Sequence, residues 1–215
     1  MKKYSFTGIL NIVGDYKKGG FMEGINVKSE IGPLKKVLLH RPGNELLNLT
    51  PDTLGRLLFD DIPFLPVAQA EHDEFARILK ENGIEVVYLE DLMAEVLNIS
   101  DEILCEFIKE FIYEAGITTP KYKNLVFEYL HSFVDKKELV LKTMSGIKIE
   151  EIPRVKREVE KSLVDFVSDE SEFLADPIPN LYFTRDPFAS CGNGAILNRM
   201  YSVTRNRETI YADFI

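Results

Sequence analysis

The chain has 215 residues, 45% of them hydrophobic, enough to bury a core in one large domain or two small ones. Its formal charge of −9 and pI near 5.0 exclude the basic face that a nucleic-acid or anionic-membrane surface requires. No apolar run approaches the length of a membrane span. Cys105 and Cys191 show neither a disulfide framework nor metal-ligand spacing, so a reducing cytoplasm is the expected compartment.

The first residues only faintly resemble a signal peptide. Gly8 and Asn11 interrupt the apolar run from Phe6 to Val13, and no small-residue cleavage site follows. Lys17-Lys18-Gly19-Gly20 stands just ahead of Met22, as a translated ribosome-binding site would. Translation is therefore expected to begin at Met22, with residues 1–21 a non-native or disordered leader. Detecting leader residues in protein from the native host would overturn that expectation.

Lys36 to Arg41 reads as a buried strand stopped by Pro42-Gly43, and Ile25 to Glu30, with a Gly32-Pro33 turn, is its expected partner. Thr50 opens a short helix with Pro51 at its first position and Leu54, Leu57 and Leu58 facing inward. Ala68 to Asn82 is a second helix, closed by Asn82-Gly83, and Ile84 to Leu89 is a strand. This order makes an α/β unit in which a helix returns across the sheet.

The pattern changes after Asp91. Ser100 caps a helix whose broad apolar face carries Ile103, Leu104, Phe107, Ile108, Phe111 and Ile112, ended by Gly116. Thr119-Pro120 opens another helix through Leu130, and Asp135 with Glu138 forms a capping-box pattern before a third, stopped by Gly146. Val155, Val159, Leu163 and Phe166 continue the helical period, so residues 93–170 read as an all-helical insertion between residues 22–92 and 171–215.

Pro177 and Pro179 hold the next stretch extended into a strand from Asn180. In it Leu181, Phe183 and Arg185 face one way and Tyr182, Thr184 and Asp186 the other, until Pro187 ends the ladder. Cys191-Gly192-Asn193-Gly194-Ala195 is a hairpin turn joining strands centred on Phe183 and Ile196. Thr204 to Glu208 leads into a last helix, and the end at Ile215 without a stop signal reads as that of a truncated chain.

Three chemistries fit these residue types. Asp186 with Arg205 and Arg207 could hold a molecule carrying both a guanidinium and a carboxylate, or could form an internal ion-pair network. His40, His72 and His131 show no ligand spacing and read as structural or exposed. Cys105 lies on or beside an apolar helical face and reads as core, whereas Cys191 sits at a hairpin. Neither has a base nearby in sequence, and neither is assigned a nucleophilic role.

Several ordered motifs go further. Ser29-Glu30-Ile31-Gly32, Val37-Leu38-Leu39-His40-Arg41-Pro42-Gly43 and Leu57-Leu58-Phe59-Asp60-Asp61 resemble the opening of bacterial arginine deiminases. So do Asn180-Leu181-Tyr182-Phe183-Thr184-Arg185-Asp186-Pro187-Phe188-Ala189, Gly192-Asn193-Gly194 and Thr204-Arg205-Asn206-Arg207-Glu208-Thr209. The resemblance covers about residues 23–215. It implies an α/β fold: part of a pentein, a pseudo-fivefold α/β propeller, with a helical insertion in its first half.

The reaction implied by the resemblance is hydrolysis of L-arginine to L-citrulline and ammonia, with no metal and no organic cofactor. Asp186 is implied as one of two carboxylates gripping the guanidinium. Phe183 lines the site, the Leu58 backbone contacts substrate, and Asn180 and Arg205 bind its amino-acid end. A cysteine thiolate attacks, a histidine shuttles protons, and water hydrolyses the amidino-cysteine. Those two residues and the second carboxylate belong to the family's carboxy-terminal half, and their motifs do not occur here. The expectation is therefore the amino-terminal part of such an enzyme, inactive alone. An inactive binding or assembly module and another guanidino-modifying enzyme such as an amidinotransferase are the alternatives. L-Arginine is the expected partner, with no nucleic acid and no membrane, and a homo-oligomer is left open.

Overall fold

A computed structural model describes residues 25–152 and 172–215. The expected leader and the helical period from Val155 to Phe166 lie outside the described residues. Strand β1 (Lys36–Leu39) is followed by α1 (Asn44–Leu47), α2 (Pro51–Leu57), α3 (Leu65–Glu81) and β2 (Glu85–Tyr88). β1 and β2 pair in parallel, Lys36 opposite Glu85 and Leu39 opposite Tyr88, so the three helices form the crossover of an α/β unit. The expected partner of β1 is therefore a different strand. Val27 instead bridges Gly192, donating to its carbonyl at 2.8 Å and accepting from its amide at 2.7 Å.

Helix starts follow local chemistry. Thr50 is the N-cap of α2 with Pro51 at the first position, where a missing N–H is no loss. Leu57 is buried, but Leu58 is 54% exposed rather than inward. It ends α2 in the left-handed region, with φ 57° and ψ 44°. Helix α3 buries Leu65 and Ala76, while Phe75 and Ile78 are exposed.

No loop separates β2 from α4 (Leu89–Leu97), which begins four residues before the expected helical block. Ser100 accepts from the Ile103 amide and caps α5 (Asp101–Glu114). Next come α6 (Pro120–His131) and α7 (Lys136–Ser145). Asp135 caps α7 by accepting from the Lys137 and Glu138 amides. Gly146 stops α7 with φ 84°, a conformation L residues rarely adopt. Short β3 (Ile147–Lys148) and β4 (Phe173–Ala175) pair antiparallel.

The stretch expected as a strand from Asn180 is a 3₁₀ turn over Pro179–Tyr182. Pro179 favours that start because its fixed φ suits the first position of a helical turn. The Phe183 amide returns to the Asn180 carbonyl, and the Asp186 amide to the Phe183 carbonyl. The hairpin is present one step later, as β5 (Phe188–Cys191) against β6 (Gly194–Leu197). A 3₁₀ turn at Val203–Arg205 leads into α8 (Glu208–Phe214).

One apolar core runs from Leu89 and Met93 of α4 through Phe107 and Phe111 of α5, Val126 and Leu130 of α6, and Leu139 and Met144 of α7. It continues into Ile178, Leu181, Ile210 and Tyr211. Burying side chains of this size contributes about 1.5–3 kcal/mol each. The helices are thus packed directly under the segments that carry Asn180 and Arg205. A smaller cluster of Leu46, Leu49, Leu57 and Leu65 packs α1, α2 and the start of α3 together. The described residues form a mixed α/β structure with small sheets.

Candidate functional site

Asn180 is the joint between two distant parts of the chain. Only 5% exposed, it donates from Nδ2 to the Leu57 carbonyl at 2.9 Å. That bond satisfies an orphan acceptor at the end of α2 and fixes the left-handed turn at Leu58. A non-glycine residue in that region costs about 1–2 kcal/mol, and such outliers concentrate at binding sites. Among the described residues no donor reaches the Leu58 carbonyl.

An aromatic wall continues from there. Phe59 packs edge-on against Tyr182, ring centroids 6.3 Å apart, and Tyr182 lies 4.0 Å from Phe183. Burial raises the Tyr182 pKa, with Arg205 opposing. Phe183 remains 45% exposed.

Asp186 stands at the end of this wall. Its backbone carbonyl accepts from Asn198 Nδ2 at 2.8 Å, tying it to the far side of the hairpin. Its Oδ2 accepts from Arg205 Nη2 at 2.9 Å. Arg205 Nε and Nη2 also make a two-point grip on Glu208 at 2.7 Å each. Glu208 is 1% exposed. Burial raises its pKa, with the Arg205 guanidinium opposing. The internal network left open by the sequence therefore exists, but it leaves Asp186 Oδ1 and Arg205 Nη1 without partners among the described residues.

The structure thus brings Asn180 to Leu57 and Leu58, and Asp186 to Arg205, with Tyr182 and Phe183 between. Arg207 is not part of this group. It is buried, with Nη1 donating to the Asp176 carbonyl at 2.5 Å, and burial lowers its pKa. Asp176 is also gripped by Arg56, so this pair fastens the approach to Asn180. None of the site residues lines the cleft of about 540 Å³ beside Arg41, Glu45, Glu90 and Lys137. With Leu58 and Phe183 exposed, the group occupies an open surface.

Both cysteines are free. Cys191, at the hairpin, is exposed. Cys105 is only partly buried rather than core, and its thiol faces Asp101. Burial and the Asp101 charge push that thiol's pKa up, opposite to what a nucleophile needs.

His40, expected to be structural or exposed, is structural, and of its two partners Glu45 is five residues away and Glu90 fifty. His40 is 1% exposed, with Nδ1 2.9 Å from Glu90 Oε2 and Nε2 3.3 Å from Glu45 Oε1. Burial opposes its charge, but hydrogen bonds to Glu45 and Glu90 prevail and raise its pKa to about 9. As imidazolium it donates to both carboxylates, pinning β1 to α1 and α4.

A family model described as arginine deiminase matches residues 55–215. The chain is 59% identical to the arginine deiminase of Treponema denticola over 194 residues, covering 90% of the chain and 47% of that protein. Against those of Clostridium perfringens and Streptococcus pneumoniae it is 56% identical over 191 residues, covering 89% of the chain and 46% of each. The chain spans about half the length of the curated relatives it matches.

Proposed function

The chain belongs to the arginine deiminase family, and from that premise we propose that it forms the amino-terminal part of a pentein propeller. The completed protein hydrolyses L-arginine to L-citrulline and ammonia in the cytoplasm. The observation that carries this reading is Asp186, half-exposed and oriented by Arg205 at 2.9 Å, its amide held by the Phe183 carbonyl at 3.0 Å. A carboxylate so held can accept from a guanidinium, keeping the substrate cationic and its central carbon electrophilic.

Asp186 Oδ1 takes the guanidinium, Phe183 lines the aliphatic stem, and the Leu58 carbonyl receives a further N–H. Asn180 Nδ2 is committed to Leu57, so Asn180 meets the substrate's ammonium through Oδ1. Arg205 offers Nη1 to the substrate carboxylate, its other face being held by Glu208. The cysteine nucleophile, proton-shuttling histidine and second carboxylate are assigned to the completed protein, not to Cys105 or Cys191. Exposed Val67, Phe75 and Ile78 on α3 and Ile196 and Leu197 on β6 are apolar surface of the kind that further blades of a ring cover.

The test joins this chain to the carboxy-terminal half of the Treponema denticola relative and measures citrulline. The joined protein is expected to turn over arginine, the chain alone is not, and Asp186→Ala in the joined protein should lose on the order of 10²–10³-fold in kcat/KM. Unchanged turnover in that variant removes Asp186 from the site. Arginine binding without turnover in a correctly folded joined protein favours a binding module instead, a reading supported by the ion pair Asp186 already makes within the chain.

A further inference from the structure

The helices carry a cluster of side chains that the arginine reading does not use. Asp101 and Cys105 lie four residues apart on α5, so their side chains leave one face a single turn apart. His131 is the last residue of α6, and α6 folds back so that its C-terminus meets the start of α5. There His131 Nε2 lies 2.9 Å from Asp101 Oδ1, and Cys105 Sγ lies 3.6 Å from Asp101 Oδ2. The nitrogen, oxygen and sulfur donors all fall within 4.8 Å of one another.

We propose that Asp101, Cys105 and His131 form a binding site for a borderline-soft divalent cation, Zn²⁺ in the first instance. Zinc bonds of about 2.0–2.3 Å in a tetrahedron separate neighbouring donors by roughly 3.3–3.6 Å. Cys105 Sγ is already at about that spacing from Asp101 Oδ2, and His131 Nε2 needs to open by a few tenths of an ångström from Oδ1. The sulfur and nitrogen, within 4.8 Å of each other, are brought together by rotation of partly exposed side chains. A sulfur–nitrogen–oxygen set suits zinc, whereas calcium and magnesium take oxygen alone.

His131 is 40% and Asp101 69% exposed at the side chain, so an ion can enter and water can fill the fourth position. The Phe127 ring stacks on the imidazole, centroids 5.6 Å apart and planes 16° from parallel, and holds its orientation. Without an ion, a His131–Asp101 pair and a thiol–carboxylate contact from Cys105 to Asp101 hold the three groups together, so the donors are already assembled. On binding, the thiol proton leaves to solvent and a zinc–sulfur bond takes its place, with no change of oxidation state.

Cobalt titration of the purified, metal-stripped 215-residue chain tests this directly. One equivalent of Co²⁺ should produce a near-ultraviolet thiolate-to-metal band and the visible bands of tetrahedral cobalt, both erased by Zn²⁺. Cys105→Ser should lose the thiolate band, and His131→Ala should weaken Zn²⁺ binding at least ~10-fold, with helical circular dichroism unchanged in both. Cys191→Ser should keep every band. Absence of the bands in the parent chain, their survival in Cys105→Ser, their loss in Cys191→Ser, or equal Zn²⁺ affinity in His131→Ala would each overturn the assignment.

Discussion

Replacing His40 by glutamine removes the one cation between two buried carboxylates. Glu45 is 2% and Glu90 5% exposed, so water replaces little of what the imidazolium supplies to either. Breaking a buried ion pair from one side costs about 3–5 kcal/mol, and His40→Gln should lose that much near pH 6. The parent chain carries a matching pH signature. Its His40 pKa is raised from 6.5 to about 9 on folding, so the linked stabilisation is complete below pH 6.5 and fades as pH rises through 9. At about 1.36 kcal/mol per pKa unit, the linked stability is about 3 kcal/mol. Urea unfolding followed by circular dichroism, at pH 6, 7.5 and 9.5, reads both effects. The expected result is a midpoint that falls with pH in the parent and stays nearly level in His40→Gln, where the gap between the two narrows. A parent midpoint that is flat or rising across this range refutes the buried-cation argument.

Gly146→Ala should be among the most damaging small changes. The added Cβ would stand 2.7 Å from the Pro177 nitrogen and 2.8 Å from the Ala175 carbonyl oxygen, at a φ of +84°, so a loss above ~2 kcal/mol is expected in thermal melts. Asp135→Ala removes a cap that receives the Lys137 and Glu138 amides, and should cost about 1 kcal/mol with little effect elsewhere. Asn180→Ala leaves the buried Leu57 carbonyl without its donor, and should cost about 1–3 kcal/mol. If the proposed function holds, the same variant in the joined protein should raise KM for arginine, because the Leu58 turn loses its tether. An unchanged KM would separate Asn180 from substrate binding.

The elements legible in the sequence are those whose cause is local. Pro51 behind Thr50, Ser100 before the stripe from Ile103 to Ile112, and Asp135 before Leu139 each define a helix start by chemistry within a few residues. The Gly192-Asn193 hairpin was legible for the same reason, since a tight turn needs residues that tolerate positive φ. The motifs carrying Asn180, Asp186 and Arg205 were legible as well, although the strand expected from Asn180 is a 3₁₀ turn. Pro177 and Pro179 fit an extended approach and a 3₁₀ start equally well, and the Leu57–Asn180 contact decided for the turn.

Composition and charge of this chain excluded whole classes of partner, and its ordered motifs carried the resemblance to its family and named its candidate residues. Tertiary structure decided which of those residues meet. It separated Arg207, turned inward to Asp176, from Arg205, which spans Asp186 and Glu208. It placed Leu58 outward at a left-handed turn, a conformation that no pattern of leucines reveals. It also assembled His40 with Glu90, fifty residues away, and His131 with Asp101, thirty away. Polar side chains at such separations have no periodicity to betray them; only the packing of the helices that carry them sets their distance.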